Sequence, residues 1–284
     1  MNFFESIIIG FVQGVGEFLP ISSSGHLVIM YQLFNITGDT VLLSIFLHIA
    51  TLFSVFYMYR AQIIKLIKNP FCKTNKLLLV ATIPTVIIAI ILKKIITSSF
   101  EGNFVIFGFL ITAVLLGFAD YYMENQPSFG GSEYYIKSKN QIICRNKALT
   151  TVTRDITDIG LNYKQVFLMG VAQGIACFPG ISRSGSTIAT GLFVKGNKGE
   201  VTTFSFLLSI PVIIGSLIFS IFDMSTSAMK IDTFNLISAC LISFLVGIFS
   251  IGLIDRMVKK QKLSYFSFYL IGFVFLILIV KFVF

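Results

Sequence analysis

Long uninterrupted apolar runs are the feature that most constrains the fold of this chain. Clear examples lie at 41–59, 77–92, 104–119 and 265–280. Each approaches the roughly 20 residues that a helix needs to cross the hydrocarbon core of a bilayer. Only 12% of the 284 residues are charged, and the mean hydropathy is +0.88. A soluble protein of this length could not cover so many apolar helices, so the sequence predicts an all-α polytopic membrane protein.

Six spanning helices are predicted, and the basic residues between them set their orientation. The helices lie near 40–59, 77–97, 103–122, 200–222, 233–254 and 264–283. Of the 22 Lys and Arg residues, 17 fall in one set of connecting segments and 4 in the other, with Arg183 set aside. Because cytoplasmic loops are rich in Lys and Arg, we expect the first set in the cytoplasm and both termini outside the plasma membrane. The net charge of +9 is then an orientation signal, not a sign of nucleic-acid binding.

The chain contains two copies of one unit, related by a shift of 160 residues without a gap. The matches are Gln13-Gly14 with Gln173-Gly174, Phe18 with Phe178, Ile21-Ser22 with Ile181-Ser182, and Ser24-Gly25 with Ser184-Gly185. The units are 1–122 and 163–284, each a broken apolar segment followed by three spanning helices, with 123–162 as a polar cytoplasmic linker. Three spans is an odd number, so the second unit is expected to enter from the opposite face as an inverted-topology repeat.

Gly, Pro and Ser interrupt two apolar segments, 3–34 and 163–194. In the first, Pro20 disfavours helix at the residue before it, and the three Ser residues at 22–24 are natural caps for a helix that starts near Gly25. The second repeats this pattern around Pro179. Broken helices survive at membrane depth only where protein or a water-filled cavity satisfies the backbone. Each segment is therefore predicted to form a re-entrant helical hairpin, and the two tips are expected to meet near the midplane.

The hairpin tips carry side chains of the kind that bind and cleave phosphate. Helix N-termini lined by hydroxyl groups bind anions, and the guanidinium of Arg183 offers a fork that matches phosphate oxygens. Glu17 and His26 supply a proton acceptor and a proton donor on either side of the first break. The candidates for binding phosphate are Ser22, Ser24, Ser182, Ser184 and Gly185, with Ser23 beside them.

Structural roles stay open for several of these residues. The Ser clusters could serve only as helix caps, and Arg183 could be a buried ion-pair partner of Glu17 that joins the two units. His26 could be an interior histidine with satisfied hydrogen bonds. His48 lies in an apolar spanning helix, where it either lines the site or makes a packing or hydrogen-bonding contact. The convergence of ionisable groups at two related breaks favours a functional site.

Two segments, GEFLPISSSGH at 16–26 and PGISRSGST at 179–187, resemble the signature motifs of the undecaprenyl-diphosphatase family, the bacitracin-resistance membrane phosphatases. The resemblance covers nearly the whole chain. It implies hydrolysis of undecaprenyl diphosphate to the monophosphate and phosphate at the outer face, which recycles a lipid carrier for cell-wall synthesis. By motif position it also implies that Glu17, Ser23, His26 and Arg183 are the catalytic residues, with Ser182 and neighbouring hydroxyls at the phosphate.

One position departs from the family pattern. Many members carry a second Glu one helical turn before Glu17, and this chain has Gln13 there. Two carboxylates on one helix face would suit a divalent cation held against the diphosphate, whereas Gln13 keeps an oxygen and loses the charge. A site for Mg²⁺ or Ca²⁺ formed by Glu17 with Gln13 is therefore expected to bind weakly.

Together these features predict an integral membrane phosphatase whose partners are a polyprenyl diphosphate lipid and the bilayer. Ser23 or a water attacks the terminal phosphorus, Glu17 and His26 share the base and acid roles, and Arg183 stabilises the phosphoryl oxygens. The alternative is a secondary transporter or flippase for a phosphorylated lipid or solute, because inverted repeats with broken helices are common in transporters. The sequence leaves open whether the chain forms a homo-oligomer.

Overall fold

The computed structural model describes residues 1–36, 40–100, 104–125, 156–223 and 232–283, and every regular element in these ranges is helical. The elements are α1 (Phe3–Phe18), α2 (Ser23–Leu33), α3 (Thr40–Met58), α4 (Arg60–Lys68), α5 (Lys73–Ile91), α6 (Lys93–Ser99), α7 (Phe104–Glu124), a 3₁₀ turn (Ile156–Asp158), α8 (Tyr163–Ile175), α9 (Arg183–Phe193), α10 (Lys198–Asp223), α11 (Thr233–Lys259) and α12 (Ser264–Val283). The all-α class that the sequence predicts is confirmed.

Six helices are long and apolar enough to cross a membrane, as predicted, and they are α3, α5, α7, α10, α11 and α12. A helix of 19 residues is about 28 Å long, which matches a hydrocarbon core of about 30 Å. The chain is therefore a multi-pass membrane protein. The broken segments contribute the shorter pairs α1–α2 and α8–α9.

The predicted limits of the second span were wrong. The helix begins earlier than residue 77, at Lys73, and ends at Ile91, after which α6 starts a separate helix. Lys93 and Lys94 stand at this break, and two adjacent ammonium groups are costly inside a continued span. A further helix that the sequence did not predict, α4, follows α3 and carries Lys65 and Lys68 in its last turn.

α11 also runs beyond its predicted end at residue 254, to Lys259. The extra turn is polar, and Lys259 Nζ donates a 2.6 Å hydrogen bond to Asp255 Oδ2. Basic side chains near a helix C-terminus interact favourably with the helix dipole. The turn therefore continues the helix although its composition no longer resembles a membrane span.

The end of the predicted linker belongs to the packed core. Residues 126–155 lie outside the described residues, but Ile159 and Leu161 are buried. Thr74 on α5 donates from its hydroxyl to the Ile156 carbonyl at 2.6 Å and accepts from the Ile159 amide at 3.2 Å. The segment that the sequence describes as polar therefore ends in buried residues, which are hard to predict because two apolar side chains within a mostly polar stretch give little signal.

Each broken segment is a helix, a short break and a second helix. α1 ends at Phe18, and Leu19, the residue before Pro20, is extended. α2 then begins at Ser23, because the Oγ of Ser22 caps it by accepting the Gly25 amide at 3.4 Å. The start is two residues earlier than the predicted one near Gly25. The second segment matches it, with the Oγ of Ser182 accepting the Gly185 amide at 3.1 Å.

Helices of one sequence unit pack on helices of the other in a reciprocal way. α1 packs on α11, and α8, which corresponds to α1 in the repeat, packs on α5. Gly10 and Gly170 make these contacts close, since a Cβ on either would collide with a backbone carbonyl of the facing helix. Reciprocal packing of this kind is expected of two related units. The inverted topology and the unit boundaries stay predictions.

The two breaks touch each other. Ser184 on α9 donates from its hydroxyl to the Leu19 carbonyl at 3.3 Å, which joins the second break to the first. Gly180 has φ +85, a conformation suited to glycine, and its carbonyl accepts from the Thr112 hydroxyl of α7 at 3.1 Å. The same hydroxyl accepts the Ser182 amide at 3.0 Å. These contacts bring the helix N-termini of α2 and α9 to one place, whose depth in a bilayer stays a prediction.

Candidate active site

Glu17 is the centre of a buried polar cluster at the meeting point of the two breaks. Its side chain is 1% exposed. Oε1 accepts from Nη2 of Arg183, and Oε2 accepts from the Ser23 hydroxyl at 2.9 Å and from the Gln13 amide nitrogen at 3.1 Å. Four of the residues proposed from sequence are therefore in direct contact, although they come from α1, α2 and α9.

Arg183 reaches Glu17 because it is the first residue of α9, directly after the Ser182 cap. The pair joins the two sequence units across 166 positions. A carboxylate and a guanidinium this far from water are tolerable only together, since each alone would carry an uncompensated charge. The Arg183 side chain is 21% exposed, so the pair is less buried on its Arg183 side than at Glu17.

His48 on α3 lies in this cluster. Its Nε2 is 3.6 Å from Glu17 Oε2, and its Nδ1 is 2.7 Å from the Ser44 carbonyl oxygen. Sequence reasoning left open whether His48 lines the site or only packs in its helix. The structure gives it both a site-lining position and a backbone hydrogen bond.

Hydroxyl groups line the two helix N-termini beside Glu17. Ser22 and Ser24 lie 3.3 Å apart through their Oγ atoms at the start of α2, and Ser182 and Ser184 lie 3.2 Å apart at the start of α9. The predicted helix-capping role holds for Ser22 and Ser182. Hydroxyls and the helix dipole at two helix N-termini also favour an anion between them. Ser22 has φ 67, a strained value for a non-glycine residue and typical of functional breaks.

His26 faces away from Glu17, towards α12. Its Nδ1 is 2.8 Å from the Ser22 carbonyl oxygen, and its Nε2 is 2.9 Å from the Tyr269 hydroxyl. Phe273 stacks on the ring at 4.5 Å and Phe109 meets it edge-on at 4.9 Å. The structure thus places His26 on the other side of the Ser22 turn. Sequence reasoning missed these three aromatic partners, which carry no local signal inside apolar helices.

The residues present do not fit a strong divalent-cation site. Gln13 turns its amide nitrogen towards Glu17, and its buried Oε1 has no hydrogen-bond partner among the described residues. Both Glu17 oxygens are already held by donors, one of them the cationic Arg183. Mg²⁺ and Ca²⁺ prefer several oxygen ligands with carboxylate charge. The described residues also contain no cluster of three or more His, Cys, Asp or Glu side chains.

The fold and this cluster together define a class of protein. It is a polytopic helical membrane protein in which a paired carboxylate and guanidinium meet a hydroxyl group beside two helix N-termini. Such a set can bind an anion and activate a hydroxyl against it. Within this class, the chain belongs to the bacitracin resistance protein BacA family, whose model matches residues 6–276.

Three curated relatives show how far the similarity extends. An undecaprenyl-diphosphatase of Alkaliphilus metalliredigens is 37% identical over 95% of both chains. An undecaprenyl-diphosphatase 4 of Bacillus cereus is 36% identical over 99% of this chain and 98% of its own length. An undecaprenyl-diphosphatase of Methanosphaera stadtmanae is 36% identical over 98% of each chain. The family resemblance carried by the two motifs is confirmed.

Proposed function

We propose that this protein is an integral membrane phosphatase that hydrolyses undecaprenyl or a similar polyprenyl diphosphate to the monophosphate and phosphate. Membership of the BacA family and relatives named undecaprenyl-diphosphatase support this reaction. The activity would recycle the lipid carrier of cell-wall synthesis and confer bacitracin resistance. The isoprenoid tail stays in lipid, which is why the phosphatase is built from membrane helices.

The hydrogen bond between Ser23 and Glu17 is the single observation that carries the mechanism. At 2.9 Å, Glu17 is placed to take the Ser23 proton as Oγ bonds to the terminal phosphorus. The bond from that phosphorus to the bridging oxygen breaks, and the polyprenyl monophosphate leaves with that oxygen. Arg183 and the amides of the two helix N-termini stabilise the charge on the phosphoryl oxygens.

A water molecule then releases phosphate from Ser23. Its oxygen bonds to phosphorus as the bond from phosphorus to Oγ breaks, and Ser23 recovers its proton from Glu17. Both protons of the water stay on the phosphate, which leaves as H₂PO₄⁻, so atoms and charge balance. His26, whose Nε2 lies at the Tyr269 hydroxyl, supports the Ser22 turn through the hydrogen bond from Nδ1 to the Ser22 carbonyl. A divalent cation held weakly by Glu17 and Gln13 is given no role in these steps.

The orientation belongs to the same proposal. The 17-to-4 division of basic residues supports cytoplasmic loops on one side, with both termini and the opening of the site on the outer face of the plasma membrane. In that position the site would open to diphosphate headgroups in the outer leaflet of the membrane.

Phosphate release from the purified protein in detergent tests the function. Wild-type protein is expected to release phosphate from polyprenyl diphosphate, and Ser23→Ala to lose at least about a thousandfold in kcat, as for other nucleophile deletions. Ser98→Ala, on an exposed part of α6, is the matched control.

Two results would change the proposal. Near-normal kcat in Ser23→Ala would move the attack from Ser23 to water. A wild-type protein that binds the lipid and releases no phosphate, with or without added Mg²⁺, would overturn the enzyme and favour a transporter of a phosphorylated lipid.

A further inference from the structure

His48 on α3 faces the same oxygen of Glu17 that accepts from the Ser23 hydroxyl. Its Nε2 lies 3.6 Å from Glu17 Oε2, and the Ser23 hydroxyl donates to this Oε2 at 2.9 Å. The other carboxylate oxygen, Oε1, accepts from Arg183. One oxygen atom therefore lies between a hydroxyl that can give a proton and an imidazole that can take one.

A hydrogen bond within α3 fixes which nitrogen of His48 carries the hydrogen. Nδ1 lies 2.7 Å from the carbonyl oxygen of Ser44, one helical turn earlier, and a carbonyl oxygen can only accept. Nδ1 is therefore the donor. A neutral imidazole has one N–H and one lone pair, so Nε2, the nitrogen next to Glu17, keeps the lone pair.

The contact distance indicates that this ring is neutral in the resting cluster. A hydrogen bond from an imidazolium to a carboxylate is about 2.7–2.9 Å long, whereas 3.6 Å is too long for a hydrogen bond. Glu17 is also already paired with Arg183, so a second cation would give the buried cluster a net positive charge. His48 is therefore ready to accept a proton from the side of Glu17.

Because Ser23 and His48 share Oε2, we infer that His48 stores the Ser23 proton for as long as phosphate is bound to Ser23. The inference rests on the proposed function, in which Glu17 takes that proton. The proton moves from Ser23 Oγ to Oε2 and then to Nε2, so Glu17 is again a carboxylate and His48 is an imidazolium. When water displaces Oγ from phosphorus, the proton returns by the same two transfers. The cycle closes without a proton exchanged with solvent.

The charges around Glu17 favour this second transfer. A protonated Glu17 is neutral and would leave Arg183 without its anion, whereas transfer to His48 restores the ion pair. The phosphate on Ser23 adds negative charge, which a second cation offsets. Gln13 also contacts Oε2, but its neutral amide does not take up a proton. His48 acts on the reaction through Glu17 and is a positioning residue in this sense.

Nitrogen NMR of protein labelled with ¹⁵N-histidine tests the resting state, in detergent, without substrate and at the pH of the phosphatase assay. The chain has two histidines, so the spectrum of His48→Gln assigns the signals. We expect His48 to show a neutral ring with its hydrogen on Nδ1. A hydrogen on Nε2 in the wild-type protein would overturn the inference, because that nitrogen could not take up another proton.

Phosphate release by His48→Gln and His48→Ala tests the consequence. Glutamine keeps a side chain of similar length that can hydrogen-bond but not store a proton, and alanine loses both properties. Loss of one charge-assisted hydrogen bond corresponds to a change in rate of about 10- to 100-fold, so kcat should fall by this factor in both variants. KM should stay near the wild-type value, since His48 acts on Glu17. Tyr57→Phe, exposed on the same helix, is the control and should keep wild-type kcat.

Thermal stability separates proton storage from a packing role. His48→Gln is expected to keep the wild-type thermal midpoint although its kcat falls. Near-normal kcat in His48→Gln, with losses of kcat and stability only in His48→Ala, would assign His48 to packing and overturn the inference. A raised KM together with a lower thermal midpoint in His48→Gln would contradict it as well. A wild-type protein that releases no phosphate would overturn the proposed function, whereas the other results leave that function in place.

Discussion

Arg183→Lys separates a phosphate-binding role of Arg183 from a purely structural one. In the structure Arg183 donates to Glu17 through Nη2, which by itself is compatible with both roles. The guanidinium has five N–H donors, so others stay available for phosphate oxygens. Lysine keeps the positive charge for Glu17 and loses the planar fork. A structural partner therefore tolerates the change, while a phosphate clamp does not.

The expected magnitude follows from what is lost. Removing one preorganised donor from a charged transition state costs about 2–4 kcal/mol, which lowers kcat by roughly 30- to 1000-fold. Arg183→Ala should also lower the stability of the fold, because it leaves the Glu17 carboxylate, which is 1% exposed, without its cation. Breaking a fully buried pair costs about 3–5 kcal/mol of stability, and the 21% exposure of Arg183 puts this site at the lower end.

The assay compares turnover and thermal stability in one set of purified variants. Arg183→Lys should keep wild-type stability and lose turnover. Arg183→Ala should lose both, and adding Glu17→Gln should restore part of the stability without activity, because it removes the stranded charge. Arg60→Lys on the exposed start of α4 controls for the exchange of Arg by Lys. A stable Arg183→Lys protein with wild-type phosphate release would refute the clamp.

Three further predictions concern topology, metal affinity and packing. In intact cells, Asn2→Cys should react with a membrane-impermeant thiol reagent and native Cys72 should not; the opposite pattern would reverse the proposed orientation. Gln13→Glu should tighten the apparent affinity for Mg²⁺ in the phosphatase assay, because it restores a carboxylate pair, and an unchanged titration would mean that this position does not face the ion. Gly108→Ala should lower the free energy of unfolding by about 1–3 kcal/mol, since a Cβ there would collide with the second break. The control Gly215→Ala has open space around it and should leave stability unchanged. Equal thermal midpoints for the two variants would contradict this packing.

The membrane spans could be predicted because their signal is local. An apolar run of the right length is enough to place a helix such as α12, whose predicted limits hold. The breaks could also be predicted, since Pro20 and the Ser clusters affect the backbone only within a few residues of the chain. Where a span met charged residues, at Lys93 and Lys94, the same reasoning placed the helix end wrongly.

Contacts across the fold could be predicted only in part. Glu17 and Arg183 were paired as an alternative because two opposite charges in apolar surroundings need each other. Nothing comparable marked Tyr269, an aromatic residue in an aromatic-rich helix, as the partner of His26. The distance from His48 to Glu17 is likewise set by the packing of α3 on its neighbours, which no single segment encodes.

The ion pair between Glu17 and Arg183 also constrains how the protein is made. The two residues are 166 positions apart, and a ribosome that adds about 5–20 residues per second needs roughly 10–30 s to pass from one to the other. At the predicted depth in the membrane, the carboxylate would lack this cation during that interval, which is costly for an ionised group. Glu17 must therefore stay protonated or remain near water until α9 is synthesised. The first half of the protein can reach its final position only after the second half has entered the membrane.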